Sequence, residues 1–140
     1  MAASHAIFWP LVAQIFLVFL VYALMNRRRL AAVRAGEASV KDFVVPNVEP
    51  AASATVARNL INQFELPVLF YVVVLSLYVT GGAGTLAVLI AWGFVISRYA
   101  HAYVHVTANR VLLRRKLFLA GVAMCMLLWL VLVVHLALMP

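Results

Sequence analysis

Apolar residues fall in four long blocks along this chain, separated by short polar stretches. A helix that crosses a bilayer needs roughly 20 predominantly apolar residues. The first block predicts a helix over 6–26, interrupted within 7–25 only by Pro10 and Gln14. The second predicts a helix over 56–80, in which 66–79 is strongly apolar and 56–65 extends it with a polar side. Thr80-Gly81-Gly82-Ala83-Gly84 ends it, because glycines clustered this closely favour a turn. A third helix over 85–110 passes Ser97 into a polar stretch, and a fourth over 116–138 is broken only by His135. No internal repeat is visible. The pattern predicts one all-α membrane domain, 1–140, built as a bundle of four transmembrane helices.

Composition strengthens this reading. The chain is 67% hydrophobic, with a mean hydropathy of +1.08, whereas soluble domains are about 45–50% apolar. The net charge of +7 would point to nucleic acid in a soluble protein, but here the basic residues are segregated along the chain and no nucleic-acid partner is expected. Arg27, Arg28, Arg29, Arg34, Lys41 and Arg58 lie between spans one and two. Arg98, Arg110, Arg114, Arg115 and Lys116 lie near the junction of spans three and four. Cytoplasmic connections carry the excess of Lys and Arg, so both termini are expected on the non-cytoplasmic side of an integral, multi-pass protein. The first block follows no Lys or Arg and precedes three arginines, unlike a signal peptide. The loop 26–55, with Pro46 and Pro50, is expected to lie partly on the membrane surface. The short loops point to a bacterial inner membrane. Cys125 stands alone, cannot form an internal disulfide, and reads as a packing residue.

Ionisable residues inside spans are costly, from roughly 2.5–3.5 kcal/mol at the bilayer centre, and mark functional sites. Two clusters qualify. Arg58, Asn62 and Glu65 recur at i, i+4, i+7 on one helical face, and Glu65 is the only acid outside the first loop. The competing reading is an intrahelical Arg58–Glu65 network at a helix end. Arg98, His101 and His105 share a face of the third helix, while Tyr99, Tyr103 and Arg110 share another. The tyrosines also suit an interfacial aromatic belt, and Arg115 and Lys116 suit topology and contact with anionic membrane lipids. No cysteine or carboxylate neighbour completes a metal site around the two histidines, so no metal is expected. Both clusters lie at cytoplasmic helix ends, where a basic pocket with one carboxylate suits a small zwitterionic or polyanionic ligand.

The run Arg58-Asn-Leu-Ile-Asn62-Gln-Phe-Glu65-Leu-Pro67 resembles the helix-two signature of the MAPEG family, the membrane-associated proteins of eicosanoid and glutathione metabolism. Arg98-Tyr-Ala-His101 resembles that family's helix-three motif. The resemblance implies a homotrimer that binds glutathione as cosubstrate between subunits near the cytoplasmic face and takes a hydrophobic small molecule as second substrate. It implies that Arg58, Asn62, Glu65 and Arg98 contact the tripeptide, with His101, Tyr99, Tyr103 and a helix-one arginine, Arg29 or Arg34, completing the pocket. The thiol-activating residue is Arg110 if the motif is anchored on the tyrosines and Arg114 if it is anchored on Arg98 and His101. The function implied is that of a glutathione-dependent transferase or peroxidase. The alternatives are a non-catalytic lipid-binding or scaffolding member of the same architecture, or a small proton-coupled exporter.

Overall fold

The computed structural model describes residues 4–44 and 49–139; Pro46 lies outside them. Among the described residues the regular structure is entirely helical: α1 (Phe8–Arg34), α2 (Ala51–Gln63), α3 (Leu66–Val79), α4 (Thr85–Val106) and α5 (Val111–Ala137), with short 3₁₀ turns at His5–Ile7 and Val40–Phe43. Four segments are long and apolar enough to cross a membrane: His5–Arg34, Ala51–Val79, Thr85–Val106 and Val111–Ala137. The four-span architecture is therefore as expected, but the boundaries differ. α1 continues eight residues past the end predicted at 26, and the polar helix before α3 starts at Ala51 instead of 56. The loop expected over 26–55 contracts accordingly.

The second span is not one helix. Its two halves meet at Phe64–Glu65, where Glu65 takes φ −98° and ψ −102° and Pro67 occupies the first turn of α3. Proline has no N–H to give the carbonyl four residues back, and it crowds that carbonyl. The helical face expected to carry Arg58, Asn62 and Glu65 is thus interrupted just before Glu65.

Each helix buries one narrow stripe. In α4 it runs through Ala87, Ala91, Phe94, Arg98, His101 and His105, and in α5 through Gly121, Cys125, Leu128 and Leu132. These positions repeat every three to four residues, the spacing of one face of an α-helix. The α4 stripe is apolar toward Thr85 and polar toward Val106, so the protein interior changes character along one seam. At the apolar end Phe70 of α3 stacks on Phe94, with centroids 4.2 Å apart, beside Val73, Val74, Leu77 and Cys125.

Small residues let α4 and α5, the most extensively packed pair, approach closely. A Cβ on Gly121 would lie 2.9 Å from Ser97 Oγ and 3.5 Å from Arg98 Cδ, and that hydroxyl already donates to the Phe94 carbonyl. Gly121→Val is therefore expected to destabilise the bundle by about 1–3 kcal/mol through overpacking. Gly84→Ala, where nothing lies within 4 Å, is expected to melt like the parent in the same detergent. Equal melting temperatures for all three proteins would exclude this account.

At the opposite end from the polar seam, the glycine turn forms as predicted, with Gly81 at φ +80°. His135, the one interruption of the last span, has its Nε2 2.9 Å from the Thr80 carbonyl there.

Candidate functional site

The polar half of the interior is built from residues that the helical stripes deliver to one depth. Gln14 lies on the buried stripe of α1, and Asn59 and Gln63 on that of α2; each is at most 1% exposed. Gln14 Nε2 donates to Gln63 Oε1 (3.0 Å), Gln63 Nε2 donates to Asn59 Oδ1 (3.1 Å), and Asn59 Nδ2 lies 3.2 Å from His105 Nδ1. Sequence reasoning missed Gln14, Asn59 and Gln63. The available signal was Gln14 as the one amide inside an apolar span.

Arg98 is the largest wholly buried side chain. Its Nη2 donates to the Asn62 carbonyl at 3.1 Å, a backbone acceptor near the end of α2, whose helix stops one residue later. Its Nε and Nη1 are buried donors with no protein partner, and His101 Nε2 is buried and unpartnered as well. Both the Arg98 guanidinium and the His101 ring lie 5.8 Å from the Phe118 ring. Glu65 is the carboxylate whose field reaches Arg98. His101 Nδ1 lies 3.0 Å from the Arg114 carbonyl, and its ring meets His105 edge-on at 5.6 Å. Arg114 Nη1 donates to Asn109 Oδ1 at 2.6 Å.

Arg58, Asn62 and Glu65 do not face the protomer interior. Arg58 and Glu65 are exposed and Asn62 is half-buried. Among the described residues neither Arg58 nor Glu65 joins an ion pair within the protomer, so the alternative of an intrahelical pair is not formed.

The tyrosines look elsewhere. Tyr99 and Tyr103 line an apolar groove of about 200 Å³ between α1 and α4, with Leu17, Leu20, Val21, Leu24, Ala102 and Val106. The Tyr99 hydroxyl donates to the Ala13 carbonyl at 2.8 Å, and Tyr103 is 70% exposed.

α4 ends at Val106 instead of 110, and α5 starts at Val111 instead of 116. The turn between them takes Asn109 through φ +44°, a conformation that asparagine tolerates better than most residues. Arg110 consequently caps α5 and is exposed. It does not continue the Tyr99–Tyr103 stripe, which a helix running through 110 would have required.

The three consecutive arginines of α1 point in three directions because successive helical residues are 100° apart. Arg28 turns inward, donating to the Val106 carbonyl (2.6 Å) and to Thr55 Oγ1 (3.1 Å), which ties α1, α2 and α4 together. Arg29 is held away from the seam. Its Nε and Nη2 donate to the two oxygens of Glu49 at 2.9 and 2.6 Å, and its guanidinium lies 5.1 Å from the Phe43 ring.

The Arg29 hydrogen bonds, aided by one from the Ser53 hydroxyl, hold the Glu49 carboxyl below the usual carboxylate range. A depressed carboxylate contributes its stabilisation above the unfolded-state pKa and loses it as pH falls through the folded value. Proteolysis of the 35–50 connection is therefore expected to be slow near neutrality and to quicken at acid pH. In Glu49→Gln it is expected to be fast at both. An acid-insensitive connection in the parent would contradict this.

Four apolar helices around a seam that turns polar at one end define an integral, multi-pass membrane protein with an internal, donor-rich site. The model of the MAPEG family matches residues 6–134, and the chain belongs to that family, which includes glutathione transferases and peroxidases among other functions and generally uses glutathione. No curated protein and no solved structure matches the chain.

Proposed function

We propose that this protein is a glutathione-dependent transferase or peroxidase acting on hydrophobic electrophiles, assembled as a homotrimer in a bacterial inner membrane with both termini outside the cytoplasm. One observation carries the reading. Arg98 keeps two guanidinium donors wholly buried and unpartnered beside the unpartnered Nε2 of His101. A buried donor without an acceptor is expensive, and a guanidinium fork matches a carboxylate bidentately. The donor set fits a small peptide with two carboxylates.

The outward polar face supports a subunit boundary. Roughly 20 residues counted back from Val79 reach about Leu60, so Asn62 and Glu65 fall within the apolar thickness. An exposed carboxylate there is unfavourable against lipid and is relieved by a neighbouring protomer. Arg58 and Arg98 then hold the carboxylates, Asn62 bonds the peptide backbone, and Glu65 takes the ammonium.

A thiol of ordinary pKa, about 8.5, is mostly protonated at neutral pH. Arg114 holds the thiolate; an arginine stays charged and stabilises the anion without removing its proton. The apolar groove with Tyr99 and Tyr103 receives the hydrophobic substrate. Sulfur then forms a thioether as the electrophile's leaving group departs or its strained ring opens. In the peroxidase variant two thiols give a disulfide while a lipid hydroperoxide becomes an alcohol and water.

Calorimetry of the purified protein with glutathione is expected to give saturable binding below millimolar concentration, and a chlorodinitrobenzene assay to give turnover. Binding without turnover would favour a lipid-binding or scaffolding member. No binding at millimolar ligand would end the proposal.

A further inference from the structure

The buried amides form a chain of uniform direction. Gln14 Nε2 donates to Gln63 Oε1, Gln63 Nε2 donates to Asn59 Oδ1, and the remaining Asn59 Nδ2 meets His105 Nδ1. An NH₂ group only donates and an amide carbonyl only accepts. Once one amide is oriented, each neighbour is oriented too, across three helices. At the far end, Gln14 Oε1 and the Tyr71 hydroxyl are both buried and without a partner. At the near end Nδ1 of His105 must then accept, so the proton of the neutral ring sits on Nε2.

We infer that Gln14, Gln63 and Asn59 are positioning residues that hold His105 as the Nε2–H tautomer, a neutral donor toward the bound peptide. The inference about the tautomer stands on the amide geometry; its consequence for binding rests on the proposed glutathione site. The charged or titratable groups near enough to act on His105 are Arg114 from α5, His101 and Arg98 from its own helix, and Arg58 from α2. None is an acid, so no carboxylate competes to draw the proton to Nδ1. The chain also has an opposite arrangement in which every amide is flipped and Nδ1 carries the proton. A change of donor at Gln63, which does not bond to His105, therefore reaches the imidazole through Asn59.

The test is the ¹⁵N spectrum of histidine-labelled, full-length protein in lipid nanodiscs at neutral pH. The four histidines are resolved by the signal lost in His105→Gln. The expected parent spectrum shows the Nε2–H tautomer. Gln63→Glu places an acceptor against both neighbouring amides, flips Asn59, and moves the His105 proton to Nδ1, with glutathione affinity falling about tenfold. If Gln63→Glu does not fold, Asn59→Asp draws the proton to Nδ1 directly. A parent spectrum with the proton on Nδ1, or a folded Gln63→Glu with the parent tautomer, overturns the inference. Failure of the parent to bind glutathione, with the tautomer as expected, removes the proposed function and leaves the chain of amides standing.

Discussion

Arg98→Met is expected to melt as high as the parent, or higher, while losing glutathione affinity by at least about 100-fold. The two halves of this result come from different terms. Within the protomer Arg98 makes one hydrogen bond, to the Asn62 carbonyl, and keeps two donors unpaired in a fully buried position. Replacing a buried charge by an apolar side chain of similar volume is often neutral or stabilising, and methionine fills the space beside Phe118 and Gly121. Binding loses two charge-assisted hydrogen bonds, each worth about 1.5–3 kcal/mol. A tenfold change in affinity is about 1.4 kcal/mol, so the sum exceeds two orders of magnitude. Thermal melting and calorimetry on the same preparation check both halves. Unchanged affinity would remove Arg98 from the ligand site, whereas a collapsed melting temperature would make it a structural clamp.

The second large effect separates the two candidate thiol-activating arginines. Arg114→Ala is expected to abolish thiolate absorbance at neutral pH and to lower turnover by about 10²–10³, the range seen when one preorganised anion-stabilising donor is removed. Arg110→Ala is expected to leave both nearly unchanged. Arg114 is half-buried, anchored to Asn109, and near enough to act on His101 and His105. Arg110 is exposed at the start of α5. The pH profile provides the sign. A nearby cation lowers the thiol pKa, so its loss raises that pKa toward about 8.5, and the Arg114→Ala rate should climb with pH through neutrality where the parent rate is flat. The reverse ranking of the two variants would return the role to Arg110.

Some of the site was legible because its signal is local. The clustered glycines announced the turn at Gly81, whereas the break at Phe64–Glu65 falls inside the single helix expected over 56–80. The facing of α2 was not legible. Arg58, Asn59, Asn62 and Gln63 fall within one arc of about 140° at 100° per residue, so the buried and the outward-facing polar residues are neighbours on the helix. The pattern around Arg58, Asn62 and Glu65 drew the reading to one face. The residues that enter the interior are instead those that meet Gln14 and His105, 49 and 46 positions away in sequence. The partition of Arg27, Arg28 and Arg29 was hidden for the same reason. Adjacent identical residues differ only in the direction in which the helix turns them, and Arg29 points to Glu49.

By itself, the order of residues determined the number of membrane crossings, the segregation of charge to two connections, and the family, since these depend on run lengths and local motifs. Only the packed helices decided which polar groups are sealed inside, where α4 stops, and that Arg98 is left with unsatisfied donors. Those outcomes depend on the rotation of each helix about its axis, which is set by contacts between residues far apart in the chain.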